Sequence, residues 1–352
     1  MVSWPDHRFI DMVGTKHPIV QAPMAGAGGV DLAVAAIEAG ALGSLPCGML
    51  SPEQVDEEVA ELRSRTARPF ALNFFCHAMP DDKPEHSWRA LLQPYYEEFG
   101  AEPRSGGAMR LPFDSDMAGM VERLRPPVVS FHFGLPAEQL LARVKSAGSL
   151  IIGNATTPEE ALWLEKRGVD AIIAQGFEAG GHTGRFLGAI PEEALGLFAL
   201  VPFVADTVAV PVIAAGGIGD GRGIAAALTL GASAVQLGTA YLHAPEALIS
   251  EVHRARLPEG RTLFTNLMTG GLARGLRGRL IDELGPVRSE APPYPLASRA
   301  LAPLRSTAEQ RGEFGFGPMW AGQAAPLGKS LPAAELTRRL AADALAILRP
   351  GA

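Results

Sequence analysis

Short apolar runs alternate with longer amphipathic stretches along most of the chain. The runs fall at 18–21, 41–46, 70–74, 128–133, 150–153, 171–175, 210–214 and 234–237. Most are continuous, without polar alternation, as in parallel strands covered on both faces. Helical patterns fill the gaps at 31–39, 136–147, 191–208, 220–230 and 245–256. Two more helices are marked by their first turns. Ser51-Pro52-Glu53-Gln54 is a capping box with proline at the first helical position, opening a helix to about Arg65. Thr157-Pro158-Glu159-Glu160 repeats the pattern and opens a helix to Arg167. Eight βα units in order predict a (β/α)8 TIM barrel of the α/β class. A doubly wound sheet would place a G-x-G-x-x-G turn after its first strand, and Gly26-Ala27-Gly28-Gly29 fits that poorly.

Two segments stand outside this rhythm. Residues 76–118 interrupt the third unit with Trp88, Tyr95 and Tyr96, and predict a helical lobe at the barrel mouth. Residues 260–352 form a C-terminal extension with Arg/Gly-rich and Pro-rich loops, then a helix over 331–348. The expected division is therefore a barrel of 1–75 and 119–259, an insertion of 76–118, and an extension of 260–352 packing on the barrel.

Composition narrows the function. Of 352 residues, 47% are hydrophobic and 20% charged, which is globular and far from disordered. The net charge of −7 comes without a Lys/Arg cluster, so nucleic acid is not the expected partner. No charge-free stretch reaches the roughly 20 residues of a membrane helix, and the first residues carry no apolar signal core. A cytoplasmic protein is expected. Cys47 and Cys76 have no metal-ligand spacing and read as small buried hydrophobes, and no metal site is expected.

In such barrels the site forms where strands end at their C-termini, and phosphate sits on the loops after the seventh and eighth strands. There the chain reads Ala215-Gly216-Gly217-Ile218-Gly219-Asp220 before a helix, and Gln236-Leu237-Gly238-Thr239. Glycine lets backbone N–H groups approach an anion, and a helix N-terminus adds a favourable dipole. After the sixth strand stands Gln175, then Gly180-Gly181-His182-Thr183-Gly184. A histidine among glycines at a strand end suggests close approach to a bound group. Glu178 nearby reads better as a solvated or Arg-paired carboxylate than as a second acid. Gln21-Ala22-Pro23-Met24 would make a flat wall for a planar ring. Asn73 offers a donor and an acceptor, with a local backbone bond as the ordinary alternative. His132 either faces the mouth as a substrate residue or is a satisfied core histidine. No Ser-His-Asp set, H-E-x-x-H or Walker motif is present. An anion cradle with one good base implies that a cofactor carries the hard chemistry.

These motifs resemble the nitronate monooxygenase family, formerly called 2-nitropropane dioxygenases. The matching stretches are QAPMAG at 21–26, LNFF at 72–75, SFHFG at 130–134, ATTPEEA at 155–161, AQGFEAGGHTG at 174–184, AAGGIGDGRGIAAALTLGASAVQLGT at 214–239 and MWAGQ at 319–323. The resemblance implies an FMN-dependent barrel enzyme that turns alkyl nitronates, and by extension nitroalkanes, with O2 into carbonyl compounds and nitrite. It implies FMN positions at Ala22, Pro23, Met24, Asn73, Gln175, Gly180, Gly217, Gln236, Leu237, Gly238 and Thr239, and a catalytic His182. Gly216 joins the FMN set from the loop argument. Trp320 and Gln323 belong to a tail whose approach to the flavin is left open. As general base, an ordinary histidine titrates near pH ~6.5 and keeps a neutral fraction at pH 7.

Two other functions share these features. An FMN-dependent enoyl-[acyl carrier protein] reductase has the same barrel and GGHxG turn, and would take electrons from NAD(P)H. A non-catalytic FMN-binding protein would hold ligand without turnover. Anaerobic mixing with a nitronate and then NADH separates the three.

Overall fold

A computed structural model describes residues 4–81, 85–104, 109–188 and 193–348. Its strands, in chain order, are β1 (Ile19–Gln21), β2 (Gly43–Pro46), β3 (Phe70–Phe75), β4 (Val128–His132), β5 (Leu150–Ala155), β6 (Ala171–Gln175), β7 (Gly181–His182), β8 (Val212–Ala215), β9 (Ala234–Leu237), β10 (Thr262–Thr265) and β11 (Ala273–Leu276). Eight of these form one parallel sheet in the order β1-β9-β8-β6-β5-β4-β3-β2. Leu42 closes the ring: its N–H donates to Ile19, and its carbonyl accepts from Gln21. The fold is a TIM barrel, with each expected apolar run at a barrel strand.

The helices follow their first turns closely. Ser51 caps Pro52–Arg65 with both bonds of the capping box in place. Thr157 caps Pro158–Glu165, but Glu160 does not return to it. Glu160 is fully buried instead and accepts from Thr156 N and Oγ1 at 2.7 and 2.8 Å, and from Phe186 N and Leu187 N at 2.6 and 2.9 Å. A side chain read as a local cap thus holds the loop that follows His182. The helix expected over 191–208 spans Leu197–Thr207, and the expected start at Pro191 lies outside the described residues.

The outer ring departs from expectation at its last position. Of residues 245–256, only Glu251–Arg256 is helical. The C-terminal helix Ala333–Leu348 packs instead between Gly221–Thr229 and Val30–Glu38, the helices of the seventh and first units. A Cβ on Gly221 would stand 2.5 Å from Asp343 Cβ, so the two helices meet where no side chain intervenes. The tail helix therefore completes the barrel.

The insertion and the tail share a second apolar cluster. Trp88, Leu92, Tyr96 and Phe99 of helix His86–Phe99 pack with Leu267, Leu301, Leu304 and Phe316. Trp88 Nε1 donates to Ala297 O at 3.1 Å, and Tyr96 donates to Ala300 O. Trp88, Tyr95, Tyr96 and Phe99 of the insertion cover the tail, and none of them lines the cavity described below. Tail strands β10 and β11 form a small antiparallel sheet with β7, pairing Ala273 with His182 and Arg274 with Gly181. Among the described residues no helix is long and apolar enough to cross a membrane.

Candidate active site

The C-terminal strand ends surround a cavity of about 390 Å³, within the size range of small-ligand sites. Ala22, Pro23 and Met24 line it after β1, Asn73 from β3, and His132 from β4. Gln175 from β6 lines it, with Gly180 and His182 beyond. Gly216 and Gly217 follow β8, and Gln236, Gly238 and Thr239 complete the wall. Leu237 is the exception among the residues expected there. Its side chain is 1% exposed and packs in the barrel core. Strand alternation explains this: Gln236 faces the cavity, so its neighbour faces away.

The N–H groups of Gly216, Gly217, Gly238 and Thr239 have no hydrogen-bond partner among the described residues. Gly216 and Gly217 sit at φ of 110° and 65°, a region other residues avoid. Four unpaired donors on one wall fit a single phosphate group. The expected contribution of the next helix is corrected. Asp220 caps Gly221–Thr229, and its carboxylate accepts from Arg222 N and Gly223 N at 3.0 and 3.4 Å. That carboxylate already occupies the helix's anion position, so the cradle consists of loop amides and the start of the short helix Thr239–Leu242.

His182 is held from several directions. Its backbone pairs with β11 of the tail. Its carbonyl accepts from Gln175 Nε2 at 2.9 Å. Its Nε2 shares a hydrogen bond with Thr269 Oγ1 at 2.8 Å. Its ring lies 5.0 Å from the Tyr294 ring, 5.4 Å from Trp320 and 6.1 Å from Phe133. Burial, then the charge of Arg110, then His132 and His77 hold its pKa well below the usual histidine value. His182 is therefore neutral at pH 7, which corrects the expectation of an ordinary, partly protonated histidine.

Two of the glycines around it are also required by packing. A Cβ on Gly180 would lie 2.5 Å from Gly322 N. One on Gly184 would lie 2.1 Å from Asn154 Nδ2 and 2.7 Å from His132 Cε1. At these two positions the missing side chain lets other parts of the protein pack closely, while Gly180 and Gly181 also line the cavity.

The other candidates separate clearly. Burial pushes His132 down to about 4, against a bond to the His182 backbone that raises it, and its ring faces the cavity. Asn73 Nδ2 donates across to Ser130 Oγ and O at 3.0 and 3.3 Å, so the bond is between strands and its Oδ1 stays available. Glu178 is half-buried and its charge acts on Arg274, and both its oxygens accept from Leu197 N, at 3.0 and 2.9 Å. Trp320 lines the cavity, whereas Gln323 does not and donates its backbone N–H to Glu178 O.

Three residues here escaped sequence reading. Thr269 and Tyr294 sit in tail loops without periodic pattern. Arg110 lies in the insertion, is 9% exposed, and lines the cavity. No local signal distinguishes them, since their role depends on contact with residues far away in sequence. Phe133, at φ 68°, is a non-glycine residue in the left-handed region beside His132, His77 and Tyr294. Such strain is stored where surroundings hold it, commonly at functional sites.

The sequence model of the nitronate monooxygenase family matches residues 6–343. The chain is 44% identical to the nitronate monooxygenase of Paraburkholderia phytofirmans over 94% of its own length and 93% of the relative's. It is 42% identical to that of Pseudomonas aeruginosa, covering 95% and 97%. Among solved structures it resembles nitroalkane oxidase from Streptomyces ansochromogenes, with a TM-score of 0.88, 37% identity, and coverage of 96% and 97%.

Proposed function

The chain belongs to the nitronate monooxygenase family of flavin-dependent oxidoreductases; from that premise we propose that it uses FMN and O2 to convert alkyl nitronates, and nitroalkanes by way of them, into carbonyl compounds and nitrite. The observation that carries this reading is a half-buried His182, its pKa held well below the usual histidine value, lining the same cavity as four unpaired backbone donors. The N–H groups of Gly216, Gly217, Gly238 and Thr239 would hold the phosphate. Ala22, Pro23 and Met24 would give the ring its wall, and Asn73 Oδ1 would accept a ring N–H. The chemistry that FMN supplies when bound is acceptance of electrons from the anion and their delivery to O2.

The protein's own part is proton transfer and charge placement. A nitroalkane is a carbon acid and loses its α-proton before it gives up electrons. His182 takes that proton. Its Nε2 is tied to Thr269, and the base role assigns the ring proton to Nε2, donated to Thr269 Oγ1, with Nδ1 free to accept. The imidazolium that results sits beside the new anion. A preformed nitronate skips this step.

The experiment is anaerobic mixing of the flavin-loaded protein with ethyl nitronate and, separately, with NADH, while the flavin spectrum is followed. Bleaching by the nitronate, recovery in air and stoichiometric nitrite support the proposal. Bleaching by NADH alone identifies a reductase, and bleaching by neither identifies a binding protein.

A further inference from the structure

One charge in the cavity wall has no role in this scheme. Arg110 is buried and lines the cavity, and its guanidinium has neither an ion pair nor a hydrogen-bond partner among the described residues. The other arginine of that wall, Arg305, is neutralised: its Nε donates to Glu309 Oε1 at 2.7 Å. A buried guanidinium without a counter-ion is strongly unfavourable, and proteins retain one where a ligand supplies the missing charge. A second unsatisfied group is close by. The Tyr294 hydroxyl is buried without a partner among the described residues and feels the charge of Arg110.

We infer that Arg110 is the anchor for the anionic nitro group of the substrate. The inference rests on the nitronate reading above. A nitronate carries its charge on two oxygens in one plane, the geometry that a guanidinium fork binds with paired N–H donors. Arg110 is near enough to His182 for its charge to act on the imidazole. In the free protein burial and then that charge keep His182 unprotonated and ready to accept. Once the substrate loses its proton, the new anion lies against Arg110, and the fork's charge is balanced. The same arrangement makes nitrite, another planar two-oxygen anion, a competitor for the site.

The test compares flavin-loaded wild type, Arg110→Lys and Arg110→Met. With ethyl nitronate, Arg110→Met should raise KM by about 30-fold while kcat stays within about threefold, because the lost contact is made before and during reaction alike. Arg110→Lys should recover part of the loss, as a point charge without the fork. Calorimetric titration with sodium nitrite should show binding to wild type and none to Arg110→Met. The acid limb of kcat/KM for nitroethane should move to higher pH in Arg110→Met, since only one of the groups facing His182 has changed. The others, His77, His132, Thr269, Tyr294 and Trp320, remain. A merely structural arginine would lower the folded fraction and leave KM, nitrite affinity and the pH limb in place, which overturns the inference. An unchanged KM for ethyl nitronate together with a raised KM for a carboxylate-bearing nitronate also overturns it, since Arg110 would then hold the carboxylate. If wild type turns over no nitronate yet binds nitrite through Arg110, the nitronate reading fails and the anion site stands.

Discussion

The side-chain amide of Gln175 donates to the backbone carbonyl of His182 over 2.9 Å. Its Oε1 accepts from Gly184 N at 2.7 Å and Asn154 Nδ2 at 3.1 Å. One side chain at the end of β6 thus holds the chain on both sides of the proposed base. Gln175→Met should remove all three bonds while keeping the volume. We expect kcat to fall about tenfold through misplacement of His182, and stability to fall by ~1–3 kcal/mol. Faster hydrogen exchange at the Gly184 amide would tie the loss to this loop; an unchanged exchange rate would leave Gln175 acting only on the cofactor.

His182→Asn removes the base and leaves the cradle intact. Turnover of neutral nitroethane should drop by about 100-fold or more, the usual weight of a positioned base. Preformed ethyl nitronate should lose much less, and flavin content should match wild type. In wild type, kcat/KM for nitroethane should show no acid limb at the ordinary histidine value, because burial and Arg110 hold His182 below it. Equal proportional losses on the two substrates would demote His182 to a binding residue.

In the proposed scheme Thr269 Oγ1 accepts the Nε2 proton of His182 and leaves Nδ1 as the base. Thr269→Val should lower nitroethane turnover by roughly tenfold while Thr269→Ser restores it, since serine keeps the hydroxyl that receives the Nε2 proton. Turnover of ethyl nitronate by the valine variant should stay near wild type. If serine and valine behave alike, the hydroxyl is not the orienting group.

Gly238 is the better probe of the phosphate cradle. Gly217 has φ 65°, and a Cβ there would meet Glu178 Cβ at 3.3 Å, so substitution strains the loop itself. A Cβ on Gly238 meets nothing nearer than Ala22 Cβ and Met24 Sδ at 3.6 Å. Gly238→Val should therefore leave the flavin-free protein's Tm nearly unchanged and lower its affinity for added FMN by at least about tenfold. Titration of stripped protein with FMN, read by fluorescence quenching, measures this. Normal FMN uptake by the variant would place the phosphate elsewhere.

Buried histidines predict acid sensitivity. Burial pushes His17, His77, His132 and His253 down to about 4. Between about pH 4 and 6.5 the unfolded chain then binds more protons than the folded one. Stability is fullest above pH 6.5 and falls as pH drops through that window. At about 1.4 kcal/mol per unit of depression, the combined loss from pH 7 to pH 4 should exceed ~3 kcal/mol. Urea midpoints at pH 7, 5.5 and 4 measure it, and a flat series would contradict the burial of these rings.

What the sequence determined by itself was the part of the protein built from local pattern. Continuous apolar runs encode strands covered on both faces, and Ser51 with Gln54 encodes the start of a helix, because neighbours a few residues apart meet whatever the rest of the chain does. The cavity-lining glycines at 216, 217 and 238 were legible for the same reason: a strand end followed by glycine places backbone at the barrel mouth. Leu237 belongs to the same motif, but strand alternation turns its side chain into the core. Tertiary structure decided the rest. The neutrality of His182 comes from burial beneath the tail and from Arg110, His132 and His77, all far from it in sequence. Its pairing with Ala273 and its bond to Thr269 join segments about ninety residues apart. The eighth helix of the ring came from the far end of the chain, and Asp220 took the anion position of its own helix. Desolvation, charge and long-range contact belong to the assembled fold, and the residues that depend on them carry no local mark.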